Sequence, residues 1–140
     1  MRYFDTGVLL KLYLPERRAA EAITHVGGSA NLPPITRLHE LEMRSALRQK
    51  TGRGEISDVE CAAVLAQLDA DLSGRVLKRV ETRWPEVFAI AESLSERHAA
   101  GTLCRSLDTL HVALALELGT TEFALLITGR RSWHPPKALS

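Results

Sequence analysis

Three carboxylates stand where chemistry is worth looking for. Asp5 lies in YFDTGVLL, between the apolar pair Tyr3-Phe4 and the apolar run Val8-Leu9-Leu10. Glu42 lies in LHELEMRSAL, between Leu41 and Met43, and Asp108 follows Leu107 in RSLDTLHVALALELG. A carboxylate among residues destined for burial costs free energy unless a cation or hydrogen-bond donors meet it. The plain role for Asp5 is a helix N-cap, accepting a backbone N–H. Asp108 likewise suits the first turn of a helix, where the macrodipole favours negative charge. Together, three acids at element starts or core-facing helix edges fit convergence on one site.

Several chemistries use an aspartate in such a place. D-T-G occurs in aspartic proteases, where two such loops share a proton between two carboxylates. Those enzymes are rich in β structure, whereas this chain is largely helical and carries one DTG, followed at once by VLLKLYL. A phospho-accepting aspartate of the DxD kind lacks its second acid, because Gly7 occupies that position. A carboxylate cluster for Mg²⁺ or Mn²⁺, hard ions that prefer oxygen, remains open and needs acids delivered from separate elements.

Those elements can be read from periodicity. Residues 2–5 read as a short strand and 6–14 as a helix halted by Pro15. A second helix is expected over 16–25, closed by Gly27-Gly28, and then an edge or end strand in SANLPPI, limited by Pro33-Pro34. Over 36–50, Leu38, Leu41, Met43, Ala46 and Leu47 recur at helical spacing, and Gly52 and Gly54 end the run. Glu42 then lies near this apolar stripe, and Glu40 faces solvent. Ser57 and Glu60 make a capping box before CAAVLAQLDADL. RVLKRV reads as a strand, Pro85 as the first residue of a helix closed by Gly101, and 106–118 as a helix with Leu107, Leu110, Ala113 and Leu114 inward. FALLIT is the last strand, and RRSWHPPKALS has no periodicity. Alternating strands and helices predict an α/β fold with a mainly parallel sheet, whose ligands sit at the carboxyl ends of its strands. Asp5 occupies such an end.

At 140 residues the chain suits one domain. No apolar run could span a bilayer, no secretion signal opens the chain, and Cys61 and Cys104 form no metal-type pair, so a cytoplasmic home is expected. The formal charge of +1 gives no global attraction for nucleic acid. A polyanion would need bound cations or local basic clusters: Arg17 and Arg18; Arg44, Arg48, Lys50 and Arg53; Arg75, Lys78, Arg79 and Arg83; Arg130 and Arg131. Such clusters are commonly solvated helix faces.

YFDTGVLLKLYLPE, LHELEMRSALRQK with RGEIS, and RSLDTLHVALALELGTTEF together resemble the PIN-domain ribonucleases, specifically the VapC-type toxins of toxin–antitoxin pairs, in order and approximate spacing. The resemblance implies a three-layer α/β/α sandwich around a parallel sheet. It implies a Mg²⁺- or Mn²⁺-dependent endoribonuclease, a homodimer, neutralised by a small antitoxin protein. Carried over by residue, the catalytic and metal-binding acids are Asp5, Glu42 and Asp108, supported by the Thr6 hydroxyl. Arg44, on the Glu42 helix, is a candidate RNA contact, and His111, one turn after Asp108, reads as a packed histidine ahead of a base.

The pattern breaks near the end. The family carries a fourth acid in a stretch like TFDRR, where this chain has ITGRR with Gly129 at that position, followed by an atypical tail over 129–140. Glu122 lies at the wrong end of its strand to replace it. A weakened or inactive PIN-fold module that binds antitoxin or RNA without cutting is therefore the alternative, with an unrelated α/β hydrolase or phosphotransferase behind it.

Overall fold

Short strands are interleaved with helices along the described residues, and the spacing of each helix sets the face it can bury. In the computed structural model, which describes residues 2–14, 34–74, 77–103, 105–120 and 122–124, strand β1 (Arg2–Phe4) leads into the short helix α1 (Thr6–Leu10). There follow β2 (Pro34–Ile35), α2 (Arg37–Gly52), α3 (Asp58–Ser73), β3 (Lys78–Arg79), α4 (Trp84–Thr102), α5 (Ser106–Glu117) and β4 (Glu122–Ala124). The helix expected over 16–25, most of the expected FALLIT strand, Gly129 and the tail lie outside the described residues.

Both strand pairings among the described residues are parallel. β1 pairs with β4, setting Arg2 against Glu122 and Phe4 against Ala124, so Glu122 is indeed at the far end from Asp5. β2 pairs with β3, and the Val80 amide donates to the Ile35 carbonyl at 2.9 Å just beyond it. β1 also lies against β2. Pro34 starts its strand, where a missing N–H removes no interior ladder bond.

Successive strand residues face opposite ways, and β1 uses this fully. Phe4 joins a core with Val8, Leu9, Ile35, Met43, Leu47 and Leu68, from α1, β2, α2 and α3. Tyr3 joins another with Val87, Leu94, Val112 and Leu114, from α4 and α5. Each fully buried leucine contributes on the order of 2 kcal/mol.

The α2 stripe is narrower than its sequence suggests. His39, Met43 and Leu47 recur every fourth residue and are buried, whereas Leu41, about 200° around the helix from either neighbour in that row, is 64% exposed. Leu107, expected inward, is 48% exposed because the packed stretch of α5 begins a turn later, at His111. Glu40, expected outward, is only 18% exposed and pairs with Arg79 at 2.8 Å.

Helix ends follow local chemistry. Ser57 Oγ accepts from the Glu60 amide at 3.1 Å while the Glu60 carboxylate accepts from the Ser57 amide at 3.3 Å, the reciprocal cap the sequence announced. Pro85 sits within the first two positions of α4, after Trp84, where its missing N–H is harmless. α4 runs through Gly101 and stops at Leu103, whose φ of 54° is left-handed.

A side chain in that conformation costs about 1–2 kcal/mol, and Leu103 is 84% exposed, so it contributes little packing in return. Leu103→Gly should therefore stabilise the fold by about 0.5–1 kcal/mol after the extra entropy of the unfolded chain is subtracted. Calorimetry should show a melting point about 2–4 °C higher.

Candidate carboxylate site

Asp5 stands where β1 gives way to α1. Its Oδ1 accepts the Val8 amide at 2.9 Å, so it does cap the helix, and it is buried with Thr6. One carboxylate oxygen is thereby committed to the backbone. Thr6, first residue of α1, donates its hydroxyl to Glu42 Oε1 at 3.1 Å. The turn at the end of β1 and the middle of α2 are joined by that bond.

Glu42 is met from a third direction. His111 Nε2 approaches the same Oε1 at 2.5 Å, and His111 Nδ1 lies 2.6 Å from the Tyr3 hydroxyl. A carboxylate only accepts, so Nε2 carries the hydrogen of the first bond. The second histidine, His39, is wholly buried. Its Nδ1 accepts the Thr36 amide at 3.1 Å, so Nε2–H donates to the Phe4 carbonyl at 2.8 Å. His39 thus takes the place of the usual Glu or Gln in the α2 capping box and fastens α2 to the last residue of β1. The rings of Tyr3, His39 and His111 pack mutually, with centroids 5.1–5.9 Å apart.

Electrostatics agree with this wiring. Burial alone would raise the Glu42 pKa, but the His111 hydrogen bond and proximity, with the Thr6 bond, outweigh it and hold the carboxyl below its ordinary value. Burial, then the negative charges of Asp5 and Glu42, push the Tyr3 phenol well above its usual range, so it keeps its proton. Burial, aided by His111, lowers His39 to about 4 against the opposing effects of the Phe4 carbonyl and Glu42.

Of the sequence-derived candidates, Asp5, Thr6 and Glu42 are linked by bonds or shared charge effects. Asp108 lies one turn before His111 on α5, partly buried, and no described residue hydrogen-bonds its carboxylate. Among the described residues, no three His, Cys, Asp or Glu side chains are grouped as a ready metal cage. Arg44 turns to Asp69 on α3 at 2.7 Å, with Glu40 at 3.8 Å. Lys50, Arg53, Arg79 and Arg83 also face carboxylates, of Glu55, Glu55, Glu40 and Glu117, so these four are paired within the chain; Arg17, Arg18, Arg75, Arg130 and Arg131 lie outside the described residues.

Tyr3 and His39 escaped the sequence reading. A signal existed: Tyr3 precedes Asp5 by two residues on a strand, hence shares its face, and His39 precedes Glu42 by three on a helix. His111 is buried and hydrogen-bonded through both ring nitrogens.

No family model matches the chain, and no curated protein matches its sequence. The fold is similar to the crystal structure of VapC20 from Mycobacterium tuberculosis, a toxin that cleaves the sarcin–ricin loop. The TM-score is 0.67 over 91% of this chain and 90% of that one, at 13% identity. The likeness is one of fold, and it is in the helix-rich α/β arrangement with parallel strands. Among the described residues, no helix is long and apolar enough to cross a membrane.

The buried His39 makes stability depend on acid. Between pH 6.5 and about 4 the unfolded chain binds a proton that the folded chain refuses, so stability falls as pH drops through that window. The contribution lost is on the order of 3 kcal/mol. Urea unfolding of the wild type should steepen in its pH dependence by about that amount relative to His39→Gln; equal slopes would mean that the ring is not held neutral.

Proposed function

We propose that the chain is a metal-dependent endoribonuclease of the PIN type, a VapC-like toxin, acting through Asp5, Glu42 and Asp108. The observation that carries this reading is the meeting of β1, α1, α2 and α5 around Glu42, in a fold similar to that of an RNA-cleaving toxin. The α/β/α layering is part of the proposal and is supported by the two cores on opposite faces of β1.

The donors fit a hard cation in kind. Asp5 and Glu42 both burden the ionisation of Tyr3, so their negative potentials overlap at the carboxyl end of β1. Carboxylate oxygens are the ligands Mg²⁺ and Mn²⁺ prefer. Asp5, Glu42 and Asp108 would hold the ion, which when bound lowers the pKa of a water and stabilises charge on the phosphate oxygens. The chain's own part is to keep Glu42 ionised through His111 and Thr6, and to fix Asp5 through the Val8 amide. With a formal charge of +1 and with Arg44 and Arg79 paired to carboxylates, the cation would supply attraction for phosphate at this site. Arg44, whose Nη2 is held by Asp69, would contact RNA through its other N–H donors or by exchanging that bond for a phosphate. A small antitoxin, a homodimeric assembly and a cytoplasmic setting belong to the same proposal.

A second reading, a PIN-fold module that binds antitoxin or RNA without cutting, is favoured by Gly129 at the fourth acid position and by the ungathered third acid, Asp108.

Purified protein incubated with Mn²⁺ and structured RNAs, a sarcin–ricin loop hairpin among them, separates the two. Cleavage should be abolished by chelation and should fall by on the order of 100-fold or more in Asp5→Asn and Asp108→Asn, beyond what loss of a supporting residue costs. Cleavage that persists undiminished in Asp5→Asn would overturn the nuclease reading. RNA retained but uncut by the wild type would favour the binding module.

A further inference from the structure

Glu42 Oε1 receives two hydrogen bonds, from Thr6 and from His111, while no described donor meets Oε2. The asymmetry is built from far apart in the chain. Tyr3, at the start, and His111, near the end, are separated by 108 positions yet bonded at 2.6 Å with both side chains buried. Few contacts would justify burying a phenol hydroxyl and an imidazole together unless each satisfies the other. Here they do so in line: the Tyr3 hydroxyl fills the Nδ1 position, which leaves Nε2–H for the carboxylate.

We propose that His111 and Tyr3 are positioning residues for Glu42: His111 saturates Oε1 and fixes the carboxylate rotamer so that Oε2 is the oxygen offered to a divalent cation, and Tyr3 fixes the ring. This rests on the metal-dependent reading above. Neither residue touches the cation or the substrate; both act through Glu42. The ring has little freedom to choose another orientation, since the rings of Tyr3 and His39 flank it at 5.9 and 5.1 Å. Thr6 contributes from the other side and ties the same oxygen to the Asp5 turn. Partners that orient a ligating carboxylate set metal affinity, and their loss weakens it by about 10–100-fold.

Mn²⁺ binding measured by calorimetric titration of the full chain is the test, because it reads affinity without requiring turnover. The variants are His111→Leu, His111→Gln and Tyr3→Phe, each checked for folding by thermal melting. His111→Leu should bind Mn²⁺ about 10–100-fold more weakly. His111→Gln, whose amide can still donate to Oε1, should recover most of that loss, and Tyr3→Phe should fall between. A residue that served packing alone would not be rescued by glutamine, the more polar and less ring-like replacement. Should the leucine variant fail to fold, glutamine and phenylalanine variants still decide. Wild-type affinity in Tyr3→Phe together with Leu-like or absent binding in His111→Gln would overturn the proposal. So would folded His111→Leu binding Mn²⁺ as the wild type does. A wild type that binds no Mn²⁺ brings down the metal reading itself, a distinct result from variants that match a wild type that does bind.

Discussion

His39 is the joint on which the rest is set. Its ring takes the Thr36 amide on one nitrogen and gives the other to the Phe4 carbonyl, so the first turn of α2 is bolted to the last residue of β1. An exposed ring at this place would be free to drift; a buried neutral one, bonded at both nitrogens, is not. With α2 fixed there, Glu42, three residues on, arrives at the turn where Asp5 and Thr6 begin α1. The carboxylate site is thus a product of one backbone anchor and helical geometry.

Around that joint the fold divides its labour. Helices α1, α2 and α3 bury one face of β1 and α4 and α5 the other, and the four polar residues Tyr3, Thr6, Glu42 and His111 lie where the two packings meet. The polar links are long in sequence and short in space. Surface pairs such as Arg44 with Asp69 and Arg83 with Glu117 connect neighbouring helices as well, but exposed pairs of this kind are worth little and weaken with salt. Specific placement of Glu42 comes from the buried bonds.

Much of this was legible in the residues. Strand β1, the capping box at Ser57 and Glu60, and the helices holding Met43, Val87 and Val112 follow from period and caps, because those are local properties. The finer burial was not. Leu41 and Leu107 satisfy a helical spacing yet point outward, since periodicity gives a face but not how wide or how long a neighbour covers it. Gly101 looked like a helix stop, but the helix carried past it to Leu103, because a glycine ends a helix only where the backbone turns left-handed. Asp5 is the helix cap that its place before α1 suggested, and its role as a ligand belongs to the proposal. For Tyr3 and His39 spacing placed each on the face of a candidate acid but did not show its bonds: a hydrogen bond from residue 3 to residue 111 leaves no periodic trace, and a histidine in a capping box departs from the usual residue types.

The opposite assignments of Tyr3 and Phe4 have an evolutionary edge. These two adjacent aromatics feed separate cores, so a slip of β1 by one position against β4 would exchange them, sending a phenol hydroxyl into the apolar side and stripping His111 of its partner. An insertion or deletion between Tyr3 and Asp5 is therefore hazardous whatever residue it involves, and this short strand should keep both its length and the order of its two aromatics.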